Sequence, residues 1–139
     1  MSQENVEKTR AFIDAYNRRD FDAAVADFDS QVEWVLPERQ AFDSARGVKG
    51  VIRFWEGIDE TFDDLQIQPQ EHVDCGDCVA TRLRHVGRGR QSGAAIDQEL
   101  YHQVATFEDG VIVRMEYFES WEEALAAARA EGEARITHR

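Results

Sequence analysis

Residues 96–118 read IDQELYHQVATFEDGVIVRMEYF. Polar and apolar residues alternate on both sides of Asp109-Gly110, a dipeptide suited to a tight hairpin turn because both residues tolerate positive φ. The stretch predicts two antiparallel strands, Ile96 to Phe107 and Val111 to Phe118. Moving upstream, Val79 to Val86 predicts a third strand. The glycine-rich run Gly87-Arg88-Gly89-Arg90-Gln91-Ser92-Gly93 joins it to Ile96. Leu65 to Val73 predicts a fourth strand, and Pro69 within it points to an edge position or a bulge, since proline donates no ladder hydrogen bond. Cys75-Gly76-Asp77-Cys78 is the turn between them.

The flanks read differently. Val6, Phe12, Ile13 and Tyr16 recur at near-helical spacing, with Ser2 as a candidate cap and Asn17 to Asp20 as the end. Asp20 then caps a second helix carrying Phe21, Ala24, Val25 and Phe28. Val32 to Leu36 is a short strand stopped by Pro37. Glu38 to Gly50 is a polar loop. Val51, Trp55, Ile58 and Phe62 form the apolar stripe of a third helix. After the last strand, Ser120 and Glu123 make a capping box for a closing helix. Residues 131–139 are expected to fray. The order α-α-β-α-β-β-β-β-α predicts an α+β fold in one domain, residues 1–139, with helices covering an antiparallel sheet.

Composition limits the function. The chain has 139 residues, 16 Lys and Arg against 28 Asp and Glu, and a formal net charge of −12. That balance argues against nucleic acid, whose phosphates need clustered cations, and against an anionic membrane. No apolar run approaches the ~18 residues of a membrane span. The polar start MSQENVEKTR is neither a signal nor a transit peptide, and two cysteines suit a reducing compartment. The expectation is a soluble, cytoplasmic protein.

Five segments in matching order carry a resemblance. They are Phe62-Asp63-Asp64-Leu65, Asp74-Cys75-Gly76-Asp77, the run from Gly87 to Gly93, Phe107-Glu108-Asp109-Gly110-Val111-Ile112-Val113-Arg114, and Glu123-Ala124-Leu125-Ala126-Ala127-Ala128. Over residues 3 to 130 the chain resembles the SnoaL-like branch of the nuclear-transport-factor-2-like superfamily. The resemblance implies a curved antiparallel sheet wrapped around helices, a cone with one internal cavity. Members include isomerases, cyclases, dehydratases, hydrolases and non-catalytic proteins, so the site must decide the chemistry.

Strand parity, combined with the resemblance, nominates the cavity face. It gives Arg82, Arg84, Tyr101, Gln103, Arg114 and Glu116 from the strands, with Phe12, Tyr16, Trp34 and Trp55 from the helices and first strand. Arg82 and Arg84 could clamp a carboxylate, phosphate or enolate, pair with Glu116 or Glu99, or lie on a solvated outer face. Glu116 could be a general base, or the partner of an arginine. Gln103 stands where the resemblance implies His or Asp in relatives, and it can donate a hydrogen bond to an oxyanion without transferring a proton. The positions that match the steroid isomerases' general base and tyrosine hold Trp34 and Phe12, so steroid isomerase chemistry is not expected.

His85 and His102 fall on the opposite face, with His102 in reserve because a one-residue bulge would exchange it with Gln103. Cys75 and Cys78, with His72 nearby, lack the second ligand pair of a structural zinc site and the following helix of a redox pair. No metal and no cofactor are expected. Two readings result: a cofactor-free enzyme moving a proton on a small organic molecule, or a non-catalytic binding or assembly module. A homodimer through Val104, Val113, Met115 and Tyr117 is also expected.

Overall fold

A computed structural model describes residues 2–37 and 44–137. The helices α1 (Ser2–Asn17) and α2 (Phe21–Ala24) come first, then strands β1 (Phe28–Val35) and β2 (Ala45–Arg46). Next are α3 (Gly47–Thr61), β3 (Phe62–Asp74), β4 (Cys78–Gly89) and β5 (Ala95–Gln98). The chain closes with β6 (His102–Glu108), β7 (Val111–Phe118) and α4 (Trp121–Thr137). The seven strands form one curved, unclosed sheet in the order β2-β1-β7-β6-β4-β3, with β5 also paired to β4. Every pairing is antiparallel except β1 with β7. The architecture is α+β.

Local chemistry sets the element ends. The Asp20 carboxylate accepts the Ala23 amide at 3.2 Å, capping α2. The Ser120 hydroxyl accepts the Glu123 amide at 3.1 Å and donates to the Glu123 carboxylate, closing the capping box of α4. Asp109 (φ 51°) and Gly110 (φ 79°) supply the two positive angles of the β6–β7 turn. β3 is the sheet edge, and its register against β4 slips between Pro69 and Glu71, which is the bulge the proline requires.

Several elements differ from expectation. α2 stops at Ala24, and Phe28 opens β1 instead of ending a helix. The strand foreseen from Ile96 to Phe107 is two, β5 and β6. The helix α4 runs through Thr137, so residues 131–137 are helical; Arg135 there bonds Glu131 at 3.0 Å and Glu108 at 3.1 Å. His138, Arg139, the Ser2 side chain and residues 38–43 of the expected loop lie outside the described residues.

The sheet has two packed faces. On the inner face, α1 and α3 bury Phe12, Ile13, Tyr16 and Trp55 against Trp34, Val79, Ala105, Ile112 and Met115. On the outer face, α4 seats Ala124 and Ala128 on Cys78, Ala80 and Val104. A side chain on Gly132 of α4 would collide with the Cys75 carbonyl, so glycine permits the close approach of helix and hairpin. These contacts occupy three of the four residues foreseen for a dimer, and the fourth, Val113, is half-buried. Val104 lies under α4, Met115 is fully buried, and Tyr117 packs on the inner side.

Candidate functional site

Between the inner face, α1 and α3 lies a cavity of about 310 Å³, in the range of small-molecule sites. Its helical wall includes Phe12, Tyr16, Phe54 and Trp55, and its sheet wall includes Trp34, Leu83, His85, Tyr101, Gln103 and Tyr117. The aromatic rings brace one another. Phe12 stacks on Trp55 with centroids 5.9 Å apart, and Trp34 meets Trp55 edge-on at 5.5 Å. Among the described residues lining the cavity, none is Asp, Glu, Lys or Arg.

Six residues nominated from sequence meet here: Phe12, Tyr16, Trp34, Trp55, Tyr101 and Gln103. The nominated ions do not. Arg82, Arg84, Arg114 and Glu116 lie off the cavity wall, on the other side of the sheet. Arg82 makes a two-pronged contact with Glu99, at 2.7 and 3.3 Å. Arg84 bonds Asp97 at 2.6 Å, and Arg114 sits 3.3 Å from Glu116. Contact with Glu99 raises the Arg82 pKa, and the Arg82 hydrogen bond lowers that of Glu99. The inward placement of these four is therefore corrected.

The physical reason is register. Phe107 pairs with Ile112, but Thr106 pairs with Arg114, so Val113 is an extra residue on β7. One extra residue inverts every side chain beyond it. Met115 and Tyr117 turn inward, and Arg114 and Glu116 turn outward. On β4, Thr81 pairs with Gln103, which puts Leu83 and His85 on the Gln103 face and the arginines opposite. The glycine-rich connection gave no means of reading that register.

A second irregularity lies between β5 and β6. His85 pairs with Gln98 and Thr81 with Gln103, which leaves one surplus residue between Gln98 and Gln103. The surplus falls upstream of the His102–Gln103 pair, so Gln103 keeps the cavity side. Two histidines stitch the break. His102 Nδ1 accepts the Leu83 amide at 3.1 Å, and His85 Nδ1 accepts the Leu100 amide at 3.3 Å. His102 lies outside the cavity wall, beside Trp121 of α4 and 3.7 Å from Glu99. Burial lowers its pKa, against the pull of Glu99.

His85 and Tyr117 are cavity residues that parity alone placed on the far face. Burial pushes the His85 imidazole down to about 4, opposed by the Gln98 backbone and reinforced by His102. The ring is thus neutral near pH 7, and since Nδ1 accepts, its proton resides on Nε2. Burial raises Tyr16 to about 12, although the Arg19 guanidinium, 5.0 Å from its ring centroid, pulls the other way. Tyr117 is raised well above 10 for the same reason and stays protonated. Its hydroxyl donates to Gln103 Oε1 at 3.1 Å.

Two buried donors on residues that line the cavity, Trp34 Nε1 and Gln103 Nε2, have no hydrogen-bond partner among the described residues. Each unmade bond costs roughly 1–3 kcal/mol. By contrast, the Cys75–Cys78 turn is internally satisfied. The Cys75 amide bonds the Cys78 carbonyl at 2.8 Å, the Cys78 thiol contacts Thr106 at 3.6 Å, and burial raises both thiol pKa values. His72 Nδ1 lies 2.9 Å from the Thr81 hydroxyl.

An NTF2-like protein of unknown function from Burkholderia pseudomallei K96243 has a TM-score of 0.77 at 21% identity, over 91% of this chain and 97% of that one. An NTF2-like protein from Burkholderia xenovorans LB400 gives 0.74 at 21%, over 93% and 98%. TerC, co-crystallised with polyporic acid, gives 0.72 at 21%, over 91% and 98%. These identities speak for the fold alone. No curated sequence matches the chain. The model of the SnoaL-like domain matches residues 9–115, and with that span matched the chain belongs to the SnoaL-like domain family.

Proposed function

We propose that this protein binds a small, neutral, largely apolar organic molecule inside its cavity. One observation carries the reading: the cavity of about 310 Å³ is walled mainly by aromatic and aliphatic side chains and holds no charged residue among those described. An apolar wall favours ligand burial by area. An anion there would lose its hydration with no cation among the described lining residues to replace it. The crystallisation of TerC with polyporic acid supports a small-molecule role for a fold of this kind.

In a catalytic version of this reading, the groups available at the wall are His85 and the tyrosines. Glu116 and His102 would need to act from outside it. Cofactor-free isomerisation, cyclisation, dehydration or hydrolysis would then rest on neutral hydrogen-bond donors stabilising a developing oxyanion. The non-catalytic version needs the cavity alone.

The test is titration with N-phenylnaphthylamine, an uncharged fluorophore. Saturable binding to one site is expected, weakened at least about tenfold, or roughly 1.4 kcal/mol, in Leu100→Trp, which fills the cavity. Arg82→Ala should bind as the parent does. Binding that is absent, or indifferent to Leu100→Trp, would sink the reading.

A further inference from the structure

Along one side, β4 pairs with β6 from Cys78 to Thr81 and with β5 from His85 to Arg88. Among the described residues, 82–84 have no ladder partner on that side. The facing stretch, residues 99–101, is therefore held by side chains and not by the sheet. It still closes the cavity, since Leu100 and Tyr101 line it. Three side chains make the closure. Arg82 bonds Glu99, His102 Nδ1 accepts the Leu83 amide at 3.1 Å, and His85 Nδ1 accepts the Leu100 amide at 3.3 Å. The Gln98 backbone bonds the His85 ring as well. The Arg82–Glu99 pair is partly exposed and contributes little. His85 is 5% exposed.

We propose that residues 98–101 are a hinged section of the cavity wall, latched shut by the neutral His85 ring and released when that ring takes a proton. One imidazole clips the backbone on both sides of Glu99. The Leu100 amide can only donate, so Nδ1 must keep its lone pair to hold it. A proton on Nδ1 sets two donors face to face and undoes the clip. Burial holds the ring down to about 4 while the wall is shut, whereas an imidazole in water takes a proton near 6.5. Between those values the open form binds more protons. Each pH unit downward then favours opening about tenfold, to roughly 300-fold at pH 4.

The groups around His85 leave that window in place. Its partner on β3 is Ile67, Tyr101 meets its ring edge-on at 5.9 Å, and the phenols of Tyr16 and Tyr117 share the cavity wall. Phenols carry no charge in acid. Asp97 of β5 is engaged by Arg84, and Glu99 by Arg82. His102 acts on His85 by charge and lowers it further. His102 is itself lowered by burial, against Glu99 and with Arg82, and adds a slope of the same sign. Passage of a ligand through this section rests on the reading that the cavity takes a small organic molecule; the latch itself does not.

Hydrogen exchange of the full chain, read by NMR and corrected for the intrinsic effect of pH, tests the latch. At pH 6 the Leu100 amide is expected to be protected, yet at least about tenfold less than those of Ala105 and Met115, which marks an opening short of global unfolding. Its protection should fall about tenfold per unit from pH 6 to 4.5. His85→Gln offers the amide an acceptor that takes no proton there, and should reduce the fall to about threefold or less per unit. His72→Gln, altered on β3 beside Thr81, should behave as the parent. Dissociation of N-phenylnaphthylamine should quicken with acid in the parent and stay within about threefold in His85→Gln.

Leu100 protection equal to that of Ala105 and Met115 overturns the hinge, because the segment then opens only with the whole fold. An amide unprotected at pH 6, or one whose protection ignores pH or falls as steeply in His85→Gln, overturns the latch. Dissociation that ignores pH while Leu100 exchange follows it overturns passage through this section. If N-phenylnaphthylamine does not bind at all, the cavity reading fails and exchange alone decides the latch. Should His85→Gln not fold, the slope in the parent and its confinement to the hinged segment decide it.

Discussion

Strand β4 carries two chemistries a residue apart. Leu83 and His85 face an uncharged cavity, whereas Arg82 and Arg84 between and beside them face outward and pair with Glu99 and Asp97. Leu83 is 1% exposed, and the Arg82 side chain is 41% exposed. The same pattern recurs on β7, where Met115 and Tyr117 turn inward and Arg114 and Glu116 turn outward. On these two strands the charge therefore sits on the outer face in both signs, and the described lining of the cavity carries none.

Exchanging the chemistry of the two faces is the strongest way to break this comparison. Leu83→Arg places a cation in the inner wall with no acid among the described lining residues to receive it. It should lower unfolding stability by about 4 kcal/mol or more, enough to threaten folding. Arg82→Leu, one residue away, should leave the thermal midpoint unchanged, since exposed ion pairs contribute little. Parallel thermal melts check both, and similar losses for the two would mean the faces are misassigned.

The next effect is on pH. His85 stays neutral in the fold down to about pH 4, whereas in the unfolded chain it takes a proton near 6.5. Between those values the unfolded state binds more protons, so stability falls as pH drops through that window. The loss attributable to His85 is about 3 kcal/mol by pH 4. His85→Gln retains an acceptor for the Leu100 amide and should flatten the dependence. His72 and His102, also lowered by burial, leave a residual slope of the same sign. An unchanged slope in the variant would show that His85 is not held neutral in the wall.

A smaller contrast sets the α4 side against the cavity side. Alanine in place of a mid-helix glycine ordinarily stabilises by about 1 kcal/mol. At Gly132 the sign should reverse, to a loss of about 2 kcal/mol, because the new methyl group meets the Cys75 carbonyl. Denaturant titration of Gly132→Ala measures it, and a gain in stability would mean the helix sits farther from the hairpin.

The candidate site was legible in proportion to how local its signals are. Phe12, Tyr16, Trp34 and Trp55 were found because an apolar stripe on a helix or strand points at a core wherever that core lies. Gln103 was found because its parity on β6 survives the bulge upstream, and Tyr101, in the break between β5 and β6, also reaches the cavity wall. His85 and Tyr117 were missed, and Arg82, Arg84, Arg114 and Glu116 were turned the wrong way. Each of those errors is a choice between two faces, not a choice of residue type.

What the amino-acid sequence determined by itself is the fold class, most of the elements and the family. Caps at Asp20 and Ser120, the Asp109-Gly110 turn and the Pro69 bulge act within a few residues, so their physics is local. What only the tertiary structure decided is which face of β4 and β7 encloses the cavity. That depends on one surplus residue at Val113 and on the pairing of Thr81 with Gln103, which lie 22 positions apart in the chain. Period-2 alternation fixes which side chains share a face but carries no sign. The sign comes from long-range registers chosen to bury Leu83, Met115 and Tyr117 and to leave the arginines with their acids.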